Sequence, residues 1–315
     1  TFWYLAIAVV ALDNALASQA VMPLVGMQEN ESAARLITVA ILVVQAVLVI
    51  ASTRLLGIIT SSAVGIELVI VVVLVIALAV VMVFTGTGTL GNLTSRGIPA
   101  DSSDYFAIGG GLMAGMIMGL TTLVGFDSAA NLAEEAKDPF RSVPRAIVAS
   151  VVAAALLGLL FLIALTIAIK DIPAVSGSGS PVAAIIRSQL GPVTERILLA
   201  ALAFAMFGAG MVVMAACSRQ VFAMARDRRF PAHTLMRQVN PRTQTPVPAT
   251  ILILVVGVVL MIALPGAALL QLIIGSTILP ALIYGATVIL YLVVRKTLER
   301  KEGGFSLGRF ELPVA

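Results

Sequence analysis

Residues 109–139 read GGGLMAGMIMGLTTLVGFDSAANLAEEAKDP. Positions 109–124 carry no charge, which suits a helix in hydrocarbon. Gly125 then interrupts the run, and Asp127 follows two residues on. Asn131, Glu134 and Glu135 come next, before Pro139. A charge at membrane depth costs roughly 2.5–3.5 kcal/mol on insertion scales, so an acid there usually faces a protein interior or a water-filled path. A helix broken at Gly125 exposes carbonyls at the end of its first half. It exposes N–H groups and a positive dipole at the start of its second half. Together these ends suit a zwitterion or a small ion. Irregular backbone at this depth is tolerated only where it lines a cavity. The stretch therefore predicts a binding site at mid-membrane.

The rest of the chain supplies the membrane. Of 315 residues, 60% are hydrophobic and 11% charged, against roughly 25% charged in soluble domains. Segments 2–25, 36–53, 58–84, 107–133, 146–169, 196–224, 247–264 and 267–294 are each long and apolar enough to read as spans. The fold class is all-α, a polytopic membrane helix bundle of about eight transmembrane helices. Of the twenty Lys and Arg, all but Arg35, Arg96, Lys170, Arg187 and Arg196 fall on one side if the loop after the sixth span is cytoplasmic. This positive-inside bias runs the first span outward and leaves the C-terminal end inside. The net charge of +4 lies beside apolar spans, so no nucleic-acid partner is expected. Cys217 is alone, which excludes an internal disulfide, and reads as a packing residue. TGTGTLG at 85–91 reads as a plain loop and SGSGSP at 176–181 as a flexible connector. The chain opens at Thr1 in an apolar run, with no cleavable signal peptide, and stops at Ala315. These ends read as those of a fragment.

Three acids fall inside spans with no mid-span Lys or Arg to neutralise them: Asp13, Glu67 and Asp127. Asp13 is either a protonated or hydrogen-bonded packing residue, or a cavity acid that attracts a cationic substrate or carries a proton. Glu67 is either partly solvated near a boundary or functional. Asp127 can cap a helix restarting after Gly125, and that role is compatible with gating. Gly111, Gly115 and Gly119 recur on one face and predict close approach of a neighbouring helix.

GFDSAANLAEEAKDPFRSVPRAI at 125–147 resembles the sixth-helix motif of amino acid permeases in the amino acid–polyamine–organocation superfamily. SRQVFAMARDRRFPAHTLMRQVNPRTQTPVPAT at 218–250 resembles the eighth-helix end and following loop of that family. The resemblance implies one transporter domain over 1–315 with inverted five-helix repeats. Residues 1–84 would be the remainder of the first repeat, 107–294 the second, and 295–315 a cytoplasmic segment. The family's first two and last two helices would be absent. By the same resemblance, Thr121, Thr122, Leu123, Val124, Gly125 and Phe126 would face the substrate, with carbonyls toward its ammonium. Asp13 would line the central cavity and favour a distal amine. Asp127 and Glu67 would serve coupling or gating.

These readings converge on secondary-active transport of an amino acid or related amine (choline, GABA or polyamine-like) by alternating access. No cofactor is expected, and the coupling ion is left open between proton and sodium. The expected partners are the small-molecule substrate and the lipid bilayer, in a bacterial plasma membrane. A channel would need polar rings, and an enzyme a catalytic dyad or metal motif. Neither is found. A non-transporting nutrient sensor of the same fold is the alternative.

Overall fold

A computed structural model of the chain describes residues 2–28, 30–95, 105–107, 110–121, 123–127, 130, 136–178, 180–264, 268–295 and 297. Among them every regular element is helical, and each of the eight apolar segments contains a helix. The helices are α1 (Phe2–Leu24), α2 (Glu31–Ala51), α3 (Thr53–Thr85), α4 (Gly111–Thr121) and α5 (Pro139–Ala168). They continue with α6 (Ile172–Ser176), α7 (Pro181–Arg226), α8 (His233–Met236), α9 (Val247–Ala263) and α10 (Ala268–Val294). Six of the described helices are long and apolar enough to cross a membrane.

Several helices start before their apolar runs, because polar residues and prolines set their ends. Asn30 is extended, and its side chain accepts from the N–H groups of Ser32 (2.9 Å) and Ala33 (3.3 Å), so α2 starts at Glu31. Ser52 alone separates α2 from α3, and its hydroxyl accepts from the Leu55 N–H at 3.2 Å. Pro139 opens α5, and Pro181 opens α7. Gly191 (φ 85°, ψ 170°) kinks α7 just before Pro192, and the apolar segment begins only beyond that kink. Within α1, Leu16–Val21 is a π-helical turn.

Helix α1 is the hub, packed against α2, α7, α9 and α10. Its Leu5, Val9 and Val10 join Leu42, Met211, Met214 and Ile253 in the main core. A second cluster joins Leu74 and Leu78 of α3 to Leu165 of α5 and Ile186 of α7. Large apolar side chains also point outward, such as Val69 and Val83 of α3 at 62% and 81% exposure. Water would penalise such a surface, and a lipid tail accepts it.

The TGTGTLG loop closes the end of α5. Asn92 Nδ2 donates to the carbonyls of Thr166 (3.1 Å) and Ile169 (2.8 Å), and the Thr89 N–H donates to the Ile167 carbonyl at 3.0 Å. Carbonyls left over by a helix end are thereby satisfied. Two serines of the SGSGSP stretch are hydrogen-bonded. The Ser178 hydroxyl donates to the Val175 carbonyl, and the Ser180 hydroxyl to the Gln19 carbonyl at 3.0 Å.

Among the described residues, the expected close approach is not seen at Gly115 or Gly119. A Cβ built on Gly115 or Gly119 meets nothing within 4 Å. Regular spacing marks a smooth face but does not say whether another helix covers it. Close approach occurs instead on α7, where a Cβ at Gly208 would strike the Ala63 Cβ of α3. A Cβ at Gly257 of α9 would meet Leu42 at 2.9 Å. Gly208→Ala is therefore expected to cost about 1–3 kcal/mol through overpacking. Gly115→Ala is expected to be neutral or slightly stabilising, because alanine is the better helix former. Thermal unfolding of both variants in detergent checks the contrast, and equal losses would refute it.

Candidate functional site

Helix α4 ends at Thr121, and residues 123–127 form consecutive turns. The Leu123 N–H reaches back to the Leu120 carbonyl at 3.0 Å. Gly125 then takes φ +99°. A Cβ there would meet no neighbour within 4 Å, so backbone conformation rather than space calls for glycine. Among the described residues, no backbone N–H donates to the carbonyls of Leu123, Val124, Gly125 or Phe126.

Asp127 fixes the turn to two helices. The hydroxyl of Tyr4, on α1, donates to Asp127 Oδ2. The hydroxyl of Tyr284, on α10, donates to Oδ1 at 2.8 Å. Tyr284 Oη also accepts from the Gly125 N–H at 3.4 Å, so it uses both its donor and its acceptor capacity on the turn. The Phe126 ring lies against Tyr284, with centroids 4.7 Å apart and planes tilted by 33°. The break is thus held by one carboxylate, two phenols and one aromatic contact.

A cavity of about 370 Å³ opens beside the turn. It is lined by residues 123–126 together with Ala146, Ser150 and Ala154 of α5. A larger one, about 540 Å³, lies between α3, α5 and α7, with Glu67 in an otherwise largely apolar wall. Ser150 and Ala154 line both, so Glu67 and the broken backbone look onto adjoining spaces across α5. No hydrogen bond or ion pair reaches Glu67 from the described residues.

Asp13 is placed differently. It has no solvent exposure and lines none of these cavities. Its Oδ1 accepts from Gln45 Nε2 at 2.8 Å. Asn14 donates to Thr38 Oγ1, on the same helix as Gln45, at 3.1 Å. The structure therefore brings Leu123, Val124, Gly125, Phe126 and Asp127 together, sets Glu67 across α5, and buries Asp13 in the core. Thr121 ends α4. Thr122, Asn131, Glu134 and Glu135 lie outside the described residues, as do residues 128 and 129, while the Ala130 N–H donates to the backbone carbonyl of Asp127 at 2.9 Å.

Sequence reasoning missed Tyr4, Tyr284 and Gln45. A signal existed in each case, since a phenol or an amide inside an apolar run needs a polar partner. The second motif also has a structural basis. Phe230 meets Phe2 edge-on at 5.6 Å, and Thr245 Oγ1 donates to the Ile50 carbonyl at 3.2 Å. The loop between α7 and α9 is thereby fastened to the ends of α1 and α2.

The profile of a family described as amino acid permease matches residues 1–314. The GABA-specific permease of Saccharomyces cerevisiae is 34% identical over 137 residues, covering 42% of this chain and 24% of its own length. Amino-acid permease BAT1 of Arabidopsis thaliana is 27% identical over 219 residues, covering 64% and 41%. A putative polyamine transporter of Candida albicans is 26% identical over 200 residues, covering 60% and 35%. The matched stretches thus span between 24% and 41% of those relatives' own lengths.

The two phenols at Asp127 give a direct test. Leaving a buried acceptor without its donor costs about 1–3 kcal/mol, so Tyr4→Phe and Tyr284→Phe should each lower stability by about that amount. In an Asp127→Asn background each loss should shrink. A double-mutant cycle read by thermal unfolding in detergent measures the coupling. Strict additivity would show that the phenols do not act through Asp127.

Proposed function

The chain belongs to the amino acid permease family, and on that premise we propose that the protein moves an amino acid or a related amine across a cell membrane by alternating access. The observation that carries this reading is the break at residues 123–127: a left-handed glycine, backbone carbonyls with no N–H donor among the described residues, and an adjoining cavity. Carbonyl oxygens recognise an ammonium group without a fixed counter-charge, and a broken transporter helix presents them in this way. Thr121, Thr122, Leu123, Val124, Gly125 and Phe126 are the substrate-facing set in this proposal. The GABA permease and the polyamine transporter among the relatives support an amine-bearing substrate.

Asp127 is the gating residue of the proposal, because it joins the turn to α1 and α10. A change in its tyrosine contacts would shift the turn against both helices. Glu67 is the residue proposed for coupling, since it is an acid in an apolar wall beside the break. Either a proton or sodium suits it. In this proposal one helix bundle rocks against the rest around the mid-membrane site. The Lys and Arg distribution supports a cytoplasmic location for the C-terminal end.

Reconstitution of the full chain in liposomes tests the reading. Labelled GABA-like and polyamine substrates should enter, and unlabelled substrate inside should accelerate entry. Binding without such counterflow would make the protein a sensor and overturn transport. Glu67→Gln should alter the pH or sodium dependence of uptake, and an unchanged profile would remove Glu67 from coupling.

A further inference from the structure

Asp13 is sealed from solvent, yet only one of its carboxyl oxygens has a partner among the described residues. Gln45 is equally buried. Its Nε2 donates to Asp13 Oδ1 at 2.8 Å and to the Phe207 carbonyl at 3.2 Å. These two acceptors fix the amide's orientation, because a flipped amide would turn its oxygen toward both. Asp13 Oδ2 and Gln45 Oε1 are left buried without a donor. Buried polar atoms are rarely left so, and an ionised carboxylate in this position is costlier still.

No charged group among the described residues offers relief. Besides Asp13, the titratable group of α1 in contact with the site's surroundings is Tyr4, nine residues away and engaged with Asp127. On α2, Glu31 and Arg35 pair with each other at the far end, and Arg35 also donates to the Met261 carbonyl. On α7, Cys217 lies against the Phe2 carbonyl, Arg219 lines a separate cavity, and Arg187, Glu195, Arg196 and Arg226 lie nearer the helix ends. Helix α9 has no titratable residue, and α10 has Tyr284 and Tyr291. A hard metal cation takes about six or more oxygen ligands. The pair and the Phe207 carbonyl offer few, and the space is closed, since a Cβ on Gly210 would lie 2.6 Å from Asp13 Oδ1. A proton fits: on Oδ2 it removes the charge, whose burial without a partner is the costly part.

The site also lies beside an irregular stretch of α1. The π-helical turn begins three residues beyond Asp13, and the Ser18 hydroxyl takes the Asn14 carbonyl at 2.8 Å. Such turns interrupt the regular ladder and are frequent at functional sites. Gly208 and Gly210 bring α7 into close contact with α3, α2 and α1. We propose that Asp13 and Gln45 form a proton-binding site in the bundle core, occupied in this conformation and emptied and refilled as the permease cycles. The cycling rests on the transport reading; the occupancy does not. Only the Oδ2–H bond forms or breaks, and the proton comes from and returns to water.

Asp13→Asn tests both parts in the full chain, because its carboxamide keeps the shape and supplies a permanent donor. The infrared spectrum should lose the carbonyl band of a neutral carboxylic acid. In liposomes, exchange at equal pH should persist while accumulation driven by a pH gradient is lost. Gln45→Met, which removes the donor to Oδ1, should keep the acid band but shift it, which guards against a folding failure of the first variant. An acid band unchanged in both variants would show that Asp13 is ionised and overturn the site. Loss of the band with pH-driven accumulation intact would overturn the cycling. A wild-type protein that transports nothing in any gradient would sink the transport reading, and the infrared band would still decide occupancy.

Discussion

The contact between Asp127 and the hydroxyls of Tyr4 and Tyr284 holds the rest of the site in place. Backbone that leaves the helix at membrane depth has to be held by protein, because lipid offers it no hydrogen bonds. Here α1 and α10 pack together, and each lends one phenol to the carboxylate in the turn. The same Tyr284 oxygen accepts the Gly125 N–H, and its ring supports Phe126. Position, orientation and partial desolvation of the turn therefore have a common origin. The cavity beside residues 123–126 keeps its shape because the backbone forming one wall is tethered on its other side.

Much of the fold was legible in the sequence, because hydropathy alone decides which segments a bilayer accepts. Each of the eight segments contains a helix, and the interruption read at Gly125 falls within the turns that follow α4. The ends were less legible. The cap at Asn30 and the prolines at 139 and 181 extend helices beyond their apolar runs, and hydropathy does not register a cap. Pairings between helices were not legible. Tyr4 and Asp127 are 123 residues apart, and Tyr284 and Asp127 are 157 apart. Nothing in local spacing encodes such distances. The glycines misled for the same reason. Gly115 and Gly119 have the regular pattern, whereas Gly208 and Gly257, which sit in less regular surroundings, are the ones pressed against neighbours.

The acids show how burial divides one residue type into different uses. Asp127 is partly buried and fully engaged with donors. Glu67 stands in an apolar wall beside open space. Asp13 is enclosed with a single amide for company. Sequence placed all three at membrane depth and could not rank them, since composition gives depth and only packing gives company. What separates them is how many donors the neighbouring helices supply.

The π-helical turn of α1 has a consequence for how this helix can change over generations. A π turn holds one residue more than the α-helical turn it replaces, and here a carbonyl within it, that of Gln19, is met by Ser180. Gain or loss of one residue inside Leu16–Val21 can be absorbed there by converting between the two kinds of turn. The same change between Tyr4 and Asp13 would rotate one relative to the other by about 100°. It would pull apart the faces that meet Asp127 and Gln45. The wide turn thus acts as a buffer for length variation, and it leaves the segment between Tyr4 and Asp13 as the part of the helix whose residue count cannot drift.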